Sequence, residues 1–151
     1  MLGEGVEMLN AIVDTPGITF GLHLCRGNTA GHWMSKGGYE AISKQVFQRA
    51  TKYAVFLLEY DDWRSGSFEP LVDIPKDKTV ALGLVSTKNN VVEPADGITA
   101  RIEEASRYFP RQQLALSTQC GFASVAQGNP ISEAAQQAKL RLVVEVAARV
   151  W

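Results

Sequence analysis

Two short apolar runs without alternating polarity constrain the fold of this chain most strongly. Residues 54–58 and 79–85 are almost entirely apolar and rich in branched side chains. Such runs are typical of strands that are covered on both faces, as in parallel sheets. Stretches with the apolar spacing of helices lie between the predicted strands. This alternation favours a parallel sheet with right-handed helical crossovers.

The predicted elements alternate along the whole chain. Helices are predicted over residues 5–13 and 39–53, from Pro94 to Phe109, and from Ser132 to the C-terminus; strands are predicted over residues 18–25, 54–58, 79–85 and 114–117. Residues 63–78 are predicted to form an irregular loop. A complete (β/α)8 TIM barrel takes about 250 residues, and this chain has 151. We therefore expect an α/β fold with about four βα units, a half barrel or a small open sheet, as one domain over residues 1–151.

Composition argues against several classes of partner. The formal net charge of −1 predicts neither a nucleic-acid nor a membrane-surface partner. No stretch approaches the roughly 20 apolar residues of a membrane span, and Glu4 and Glu7 stand where a signal peptide would carry basic residues. We therefore expect a cytoplasmic protein. In a reducing compartment the two cysteines, Cys25 and Cys120, are better explained by metal binding or catalysis than by a disulfide.

Four potential metal ligands lie at the ends of predicted strands. His23 and Cys25 end the first strand, where alternation puts both side chains on one face. Glu59 follows the second strand, and Cys120 follows the fourth. The carboxyl ends of parallel strands meet at one rim, where active sites gather. Because zinc takes Cys, His and carboxylate ligands, and thiolates favour it over magnesium or calcium, the sequence predicts a zinc site.

Simpler interpretations stay open for the same residues. A cysteine near a strand end is often only packed in the core, and a disulfide between Cys25 and Cys120 is a further alternative. Glu59 is either a buried ligand or a solvated loop residue. Asp61 and Asp62 are either ordinary loop acids or proton acceptors near the metal.

Other polar residues at the same strand ends are candidates for substrate binding. Arg26 and Asn28 follow the first strand, Lys88 the third and Gln119 the fourth. Arg26, Lys88 and Arg64 can each hold an anionic tail, such as a carboxylate or a sulfonate. The glycines after the first strand do not form a dinucleotide or phosphate-loop pattern, so a nucleotide is not predicted.

The residues around this rim resemble a known family. The similar segments are His-Leu-Cys-Arg-Gly-Asn (23–28), Phe-Leu-Leu-Glu-Tyr-Asp (56–61), Leu-Gly-Leu-Val-Ser-Thr-Lys (82–88) and Leu-Ser-Thr-Gln-Cys-Gly-Phe-Ala-Ser (116–124). They resemble the cobalamin-independent methionine synthases, in particular the single-barrel, methionine synthase II-like branch that includes epoxyalkane:coenzyme M transferases. The resemblance runs from about residue 6 to residue 151 and corresponds to the C-terminal half of the barrel.

The resemblance implies a zinc-dependent thiol alkyltransferase. In that family a His-x-Cys pair, a Glu and a distal Cys bind zinc, which implies the ligands His23, Cys25, Glu59 and Cys120. The metal holds a substrate thiol as a thiolate, and that sulfur attacks an alkyl carbon. In the methionine synthases the thiol is homocysteine and the alkyl donor is a methyltetrahydrofolate. In the coenzyme M branch the electrophile is an epoxide.

The resemblance also implies that half of a barrel is supplied from elsewhere. The other half of the family barrel contributes substrate contacts, and no counterpart is found in these residues. We therefore expect a fragment completed by an N-terminal barrel half, or a homo-oligomer that covers its open strand edges. Three functions follow as hypotheses: methyl transfer to homocysteine, alkyl transfer to coenzyme M, or a zinc-binding subunit without activity of its own.

Overall fold

The structure is a computed structural model that describes residues 2–13 and 15–151; Met1 and Asp14 lie outside the described residues. Its helices and strands, in chain order, are α1 (Leu2–Ile12), β1 (Gly21–Leu24), α2 (Ser43–Val46), β2 (Val55–Glu59), β3 (Thr79–Val85), α3 (Ala95–Ala105), β4 (Leu114–Thr118) and α4 (Glu133–Val150). The connection between β2 and β3 holds two short 3-10 turns, Trp63–Ser65 and Glu69–Asp73. The strands therefore alternate with helices or helical turns, as the sequence predicts.

The four strands form one parallel sheet in the order β1-β2-β3-β4. The register pairs His23 with Leu57 and Glu59 with Gly83. At Gly83 the strands approach closely: a β-carbon there would lie 2.7 Å from Cα of Gln119 and 2.9 Å from the carbonyl oxygen of Leu58. Parallel strands that follow one another in chain order are the arrangement of half a (β/α)8 barrel.

The hydrophobic core lies between one face of the sheet and the helices. Leu22, Phe56 and Leu82 come from β1, β2 and β3 and belong to one buried cluster with Ile102 of α3 and Val146 of α4. Alternation along each strand sends these side chains to the same face of the sheet. This face is well covered.

The opposite face of the sheet, here called the inner face, is covered less well. Gly21 and His23 of β1 are exposed on it, and Val55 and Leu57 of β2 are only half-buried. The side chain of Leu57 lies over Gly21, where an added β-carbon would meet Cδ1 at 2.8 Å. In a closed barrel the corresponding face is packed with side chains from all strands. The inner face therefore has the character of a barrel interior left partly open.

The main departure from the predicted elements is the segment over residues 39–53. Only Ser43–Val46 is α-helical, with turns on both sides. Tyr39 is tied to the sheet, because its hydroxyl donates to the carbonyl oxygen of Leu24 (3.1 Å) and accepts from the N–H of Glu59 (2.9 Å). Ser43 Oγ donates to Asp73 (2.5 Å). These side-chain bonds hold the segment as turns, which its apolar spacing does not reveal.

The last helix, α4, begins as predicted. Ser132 is its N-cap, and its Oγ accepts a hydrogen bond from the N–H of Ala135 at 3.2 Å. Lys139 is fully buried in this helix and donates to both carboxylate oxygens of Glu93 at 3.0 and 2.9 Å. Within residues 2–13 and 15–151, no helix combines the length and apolar character needed to cross a membrane.

Candidate metal centre

The carboxyl ends of β1, β2 and β4 bring four metal-ligating side chains together. His23 lies in β1 and Cys25 follows that strand directly, while Glu59 ends β2 and Cys120 lies two residues beyond β4. Their ligand atoms all lie within 4.8 Å of one another. The structure therefore places the four predicted ligands in one cluster at one rim of the sheet.

The separation of the two sulfur atoms in the cluster fits a tetrahedral zinc ion. The sulfur atoms of Cys25 and Cys120 lie 3.9 Å apart, and both cysteines are free. Two thiolates bound to one zinc ion are separated by about 3.8 Å, whereas a disulfide bond is about 2.0 Å long. His23 Nε2 lies 3.9 Å from Glu59 Oε1, whereas a nitrogen and an oxygen bound to one tetrahedral zinc ion are about 3.4 Å apart. One nitrogen, one carboxylate and two sulfurs make a donor set that suits zinc.

A backbone hydrogen bond fixes which nitrogen of His23 is free. Nδ1 lies 3.1 Å from the carbonyl oxygen of Leu57, the residue paired with His23 across β1 and β2. A carbonyl oxygen only accepts, so Nδ1 must carry the proton and donate it. Nε2 is then the unprotonated nitrogen, and it lies 3.9 Å from Oε1 of Glu59. Metal-bound histidines typically show this arrangement, in which the second ring nitrogen donates to a backbone carbonyl.

Glu59 is a buried carboxylate whose oxygens are both hydrogen-bonded. The residue is 2% exposed, so it is not a solvated loop residue. Oε2 accepts from the backbone N–H of Arg26 at 3.0 Å, and Oε1 accepts from Nε2 of Gln119 at 3.2 Å. The Arg26 guanidinium also lies 3.9 Å from Oε2. These donors offset the cost of removing the charge from water.

The two sulfurs lie beside the buried carboxylate, so that ionising either thiol would bring negative charges close together. Loss of solvent around Cys25, together with the charges of Glu59 and Cys120, raises the pKa of the Cys25 thiol to about 11. The N–H of Gly27, which donates to Sγ at 3.3 Å, acts in the opposite direction. A bound divalent cation would relieve the repulsion and favour both cysteines as thiolates.

The two acids that follow Glu59 are held in ion pairs. Asp61 accepts from Nζ of Lys88 at 2.6 Å. Asp62 caps the 3-10 turn Trp63–Ser65, accepting from the N–H of Arg64 at 2.9 Å and from its Nε at 2.8 Å. The cations of these pairs, Lys88 and Arg64, are two of the three residues predicted to hold an anionic substrate tail. A catalytic role for either acid stays a prediction.

Three of the predicted substrate-binding residues are buried and bonded within the protein. These residues are Arg26, Asn28 and Gln119. Arg26 donates to the Tyr39 hydroxyl at 3.0 Å, and its guanidinium lies 4.2 Å from the centre of that ring. Asn28 donates to Oγ1 of Thr87 at 3.1 Å. Substrate binding by these residues and by Lys88 stays a prediction, since the contacts observed here are internal.

Several residues that support the cluster carry no predicted role. Tyr39 bonds to Arg26 and Glu59, Thr87 bonds to Gln119, and Asn129 donates to the carbonyl oxygen of Thr87 at 2.9 Å. The position of Thr87 two residues after a buried strand is a signal in the sequence that it lies at the rim. Asn129 lies in a loop with no periodic pattern, so nothing in the sequence indicates its contact.

Two cavities flank the cluster. One of about 230 Å³ opens on the inner face and is lined by residues that include His23, Leu57, Ser117 and Cys120. A second of about 440 Å³ lies beyond β1, with His23, Cys25, Lys36 and Tyr39 in its wall. Metal-ligating side chains are thus accessible from two sides, as a site that must admit a substrate requires.

Comparison with known proteins decides the family. The profile of the cobalamin-independent synthase catalytic domain matches residues 42–149. The chain belongs to the cobalamin-independent methionine synthase family. The predicted family is therefore confirmed.

Two relatives from Bacillus subtilis (strain 168) match nearly all of the chain. The uncharacterized protein YxjG is 48% identical over 144 residues, covering 94% of this chain and 38% of its own length. The uncharacterized protein YxjH is 42% identical over 144 residues, with the same coverage of 94% and 38%. The chain therefore spans about two fifths of the length of these relatives.

Solved structures of methionine synthases share the fold. A proposed vitamin-B12-independent methionine synthase from Listeria monocytogenes matches with a TM-score of 0.71 and 29% identity, over 97% of this chain and 40% of its own. A B12-independent methionine synthase from Shewanella sp. W3-18-1, solved in complex with selenomethionine, matches with a TM-score of 0.75 over 97% of this chain and 42% of its own. At 19% identity the second match is evidence for the fold alone. The predicted half-barrel fold class is confirmed.

Proposed function

We propose that this chain carries the zinc-binding, thiol-activating part of a methyltransferase of the methionine synthase type. The observation that carries the proposal is the cluster of His23, Cys25, Glu59 and Cys120 at the carboxyl rim of the family barrel. A zinc ion bound there would supply a Lewis acid that stabilises a substrate thiol as a thiolate at neutral pH. The proposed thiol is homocysteine, and the proposed alkyl donor is a methyltetrahydrofolate.

The protein's own side chains would have distinct roles in such a site. Cys25 and Cys120 would supply two thiolates, which leave a bound metal electron-rich and a coordinated substrate sulfur nucleophilic. His23 would offer Nε2, because its Nδ1 is engaged by Leu57. Glu59 would supply the fourth ligand from a carboxylate that its neighbours already hold in place. In the proposed transfer the thiol loses its proton, a sulfur–carbon bond forms and the carbon–nitrogen bond of the donor breaks; the nitrogen that leaves takes up a proton, so that the products are methionine and tetrahydrofolate.

Metal content tests the proposal directly. Protein purified without chelator should contain about one zinc ion per chain, and the Cys120→Ser and His23→Ala variants should lose most of it. The chain has two histidines, which provides a matched control: His32 is exposed and is not a member of the cluster, so His32→Ala should keep its zinc. Absence of zinc from the wild-type protein would overturn the proposal. Homocysteine-dependent methyl transfer, measured on zinc-loaded protein, then tests the reaction.

We also propose that a second barrel half covers the inner face, either an N-terminal half or a second copy of this chain. Support comes from the exposed Gly21 and His23, and from the half-buried Val55 and Leu57 on the same face. Uncovered parallel strands leave edges that favour association. Sedimentation of the isolated chain should show a dimer or larger species. A well-folded monomer at micromolar concentration would contradict the proposal of self-association.

A further inference from the structure

Among the residues that the structure describes, β3 supplies no member of the metal-ligating cluster, whereas members lie at the ends of β1, β2 and β4. The residue two positions beyond β3, Thr87, is fully buried and is nevertheless bonded to residues around the cluster. Its N–H and its Oγ–H both donate to Oε1 of Gln119, at 3.1 and 2.8 Å. Its Oγ accepts from Asn28, and its carbonyl oxygen accepts from Asn129. Every polar group of Thr87 is therefore engaged.

The two donors from Thr87 fix the orientation of the Gln119 amide. An atom that accepts two hydrogen bonds must be the amide oxygen, so the NH2 group of Gln119 points the other way. It points at Glu59, where Nε2 donates to Oε1 at 3.2 Å. Gln119 is 1% exposed, so water cannot readily replace Thr87 or Glu59 as its partner.

The oxygen that Gln119 contacts is the one that faces the metal cluster. Glu59 Oε1 lies 3.9 Å from Nε2 of His23, whereas Oε2 is turned to the backbone N–H of Arg26. Donors on both oxygens define the plane of the carboxylate. The bond from Gln119 therefore determines where the ligand oxygen of Glu59 lies relative to His23.

Thr87 also connects to the loops that carry the two cysteines. Asn28, three residues after Cys25, donates to Thr87 Oγ1 at 3.1 Å and to the carbonyl oxygen of Gly121 at 3.0 Å. Gly121 directly follows Cys120 and also accepts from Asn129 at 3.3 Å. One buried network thus spans the segments after β1, β3 and β4.

We propose that Gln119, oriented by Thr87, is a positioning residue that sets the metal affinity of the cluster through Glu59. The inference rests on the proposed function, because it needs Glu59 to be a metal ligand. Partners that orient a metal ligand in this way typically change metal affinity by about 10-fold to 100-fold when they are removed.

The test is a zinc affinity measurement by competition with a chromophoric chelator, with Zn²⁺ alone as the ligand. Gln119→Leu should bind zinc about 10-fold to 100-fold more weakly than wild type. Thr87→Val should show a smaller loss, because the backbone N–H still orients the amide, and Thr87→Ser should restore wild-type affinity. Gln112→Leu and Thr51→Val change exposed residues outside the network and should have no effect. The absorption spectrum of the Co²⁺-loaded protein should change in Gln119→Leu, since the ligand geometry changes.

A double-mutant cycle separates positioning from general damage to the fold. If Gln119 acts through Glu59, then Gln119→Leu should change zinc affinity by less than about twofold when Glu59→Ala is already present. An equal loss in both backgrounds, or an unchanged affinity in Gln119→Leu alone, would overturn the inference and leave the proposed function standing. Wild-type protein that binds no zinc would overturn both.

Discussion

The rim of the sheet and its inner face differ in how completely this chain builds them. At the rim, four potential ligands converge and their supporting hydrogen bonds come from the same chain. On the inner face, Gly21 and His23 are exposed, and Val55 and Leu57 are half-buried. The difference indicates that the candidate metal centre is a local property of three strand ends, β1, β2 and β4, whereas the described residues cover the inner face only in part. Metal binding and barrel closure should therefore be separable by mutation.

The largest expected effect is on the free energy of unfolding, and it is measured at two neighbours on β2 whose side chains point to opposite faces of the sheet. Phe56 is fully buried under the helices, and Leu57 is half-buried on the inner face. We expect Phe56→Ala to lower the free energy of unfolding by about 3–5 kcal/mol. Leu57→Ala should cost less than half as much, because less of its side chain is removed from water. Urea unfolding of both variants measures the difference, and equal losses would show that the inner face is as well packed as the core.

The next prediction separates assembly from metal binding. Val55 lies at the amino end of β2, away from the rim, and a lysine there would place a charge on the inner face. We expect Val55→Lys to weaken the proposed self-association through the inner face about 10-fold or more, while the zinc content stays unchanged. Val72→Lys is the matched control, since Val72 is exposed on the 3-10 turn Glu69–Asp73. Sedimentation and metal analysis of the two variants report both properties. Loss of zinc in Val55→Lys would show that the rim depends on closure.

The pH dependence of zinc uptake tests the charge balance at the rim. The pKa of Cys25 is raised from 9.0 to about 11, so at neutral pH the metal must displace the thiol proton. Apparent zinc affinity should therefore rise with pH, by about tenfold per pH unit for each proton released. In metal-free protein the raised pKa favours the folded state below about pH 9, and this contribution is lost as the pH rises through 11. Calorimetric titration between pH 6 and 8 measures the slope. A flat profile would contradict the expectation.

The smallest expected effect concerns the N-cap of α4, which is neither a member of the metal-ligating cluster nor on the inner face. Ser132 caps α4 through its hydrogen bond to the N–H of Ala135. We expect Ser132→Ala to lower stability by about 1 kcal/mol, with no change in zinc affinity or in assembly. Thermal unfolding and chelator competition check the two parts. A change in zinc affinity would show that the helix layer and the rim are coupled.

The elements that depend on local pattern could be predicted from the sequence. Continuous apolar runs indicate buried strands, and the residues that end them, among them Glu59 and Cys120, meet at one rim because parallel strands end together. The turns around Ser43–Val46 could not be predicted, since hydrogen bonds from Tyr39 and Ser43 to distant segments replace the helix that apolar spacing favours. Such contacts join residues that are far apart in the chain, and no periodicity encodes them.

The hydrogen bonds of Gln119 at the candidate site could not be predicted from the sequence either. Gln119 is a polar residue at a strand end, and its residue type alone suits a substrate contact as well as an internal one. Its burial and its bonds to Thr87 and Glu59 emerge only from the fold. Sequence reasoning thus identifies candidate ligands, whose chemistry is distinctive, more readily than the amide groups that are bonded to them.

The close packing at Gly83 has a consequence for how far the ligand-bearing strands can separate. Gly83 is paired with Glu59 on one side and Ser117 on the other, in the strand that contributes no ligand. Any side chain there would press on the backbone of Leu58 and Gln119, the neighbours of Glu59 and Cys120, and would wedge β2 and β4 apart. The spacing of β2 and β4 therefore depends on the absence of a β-carbon at Gly83. That absence lets the ligand atoms of Glu59 and Cys120, from non-adjacent strands, come within 4.8 Å of each other in the candidate metal centre.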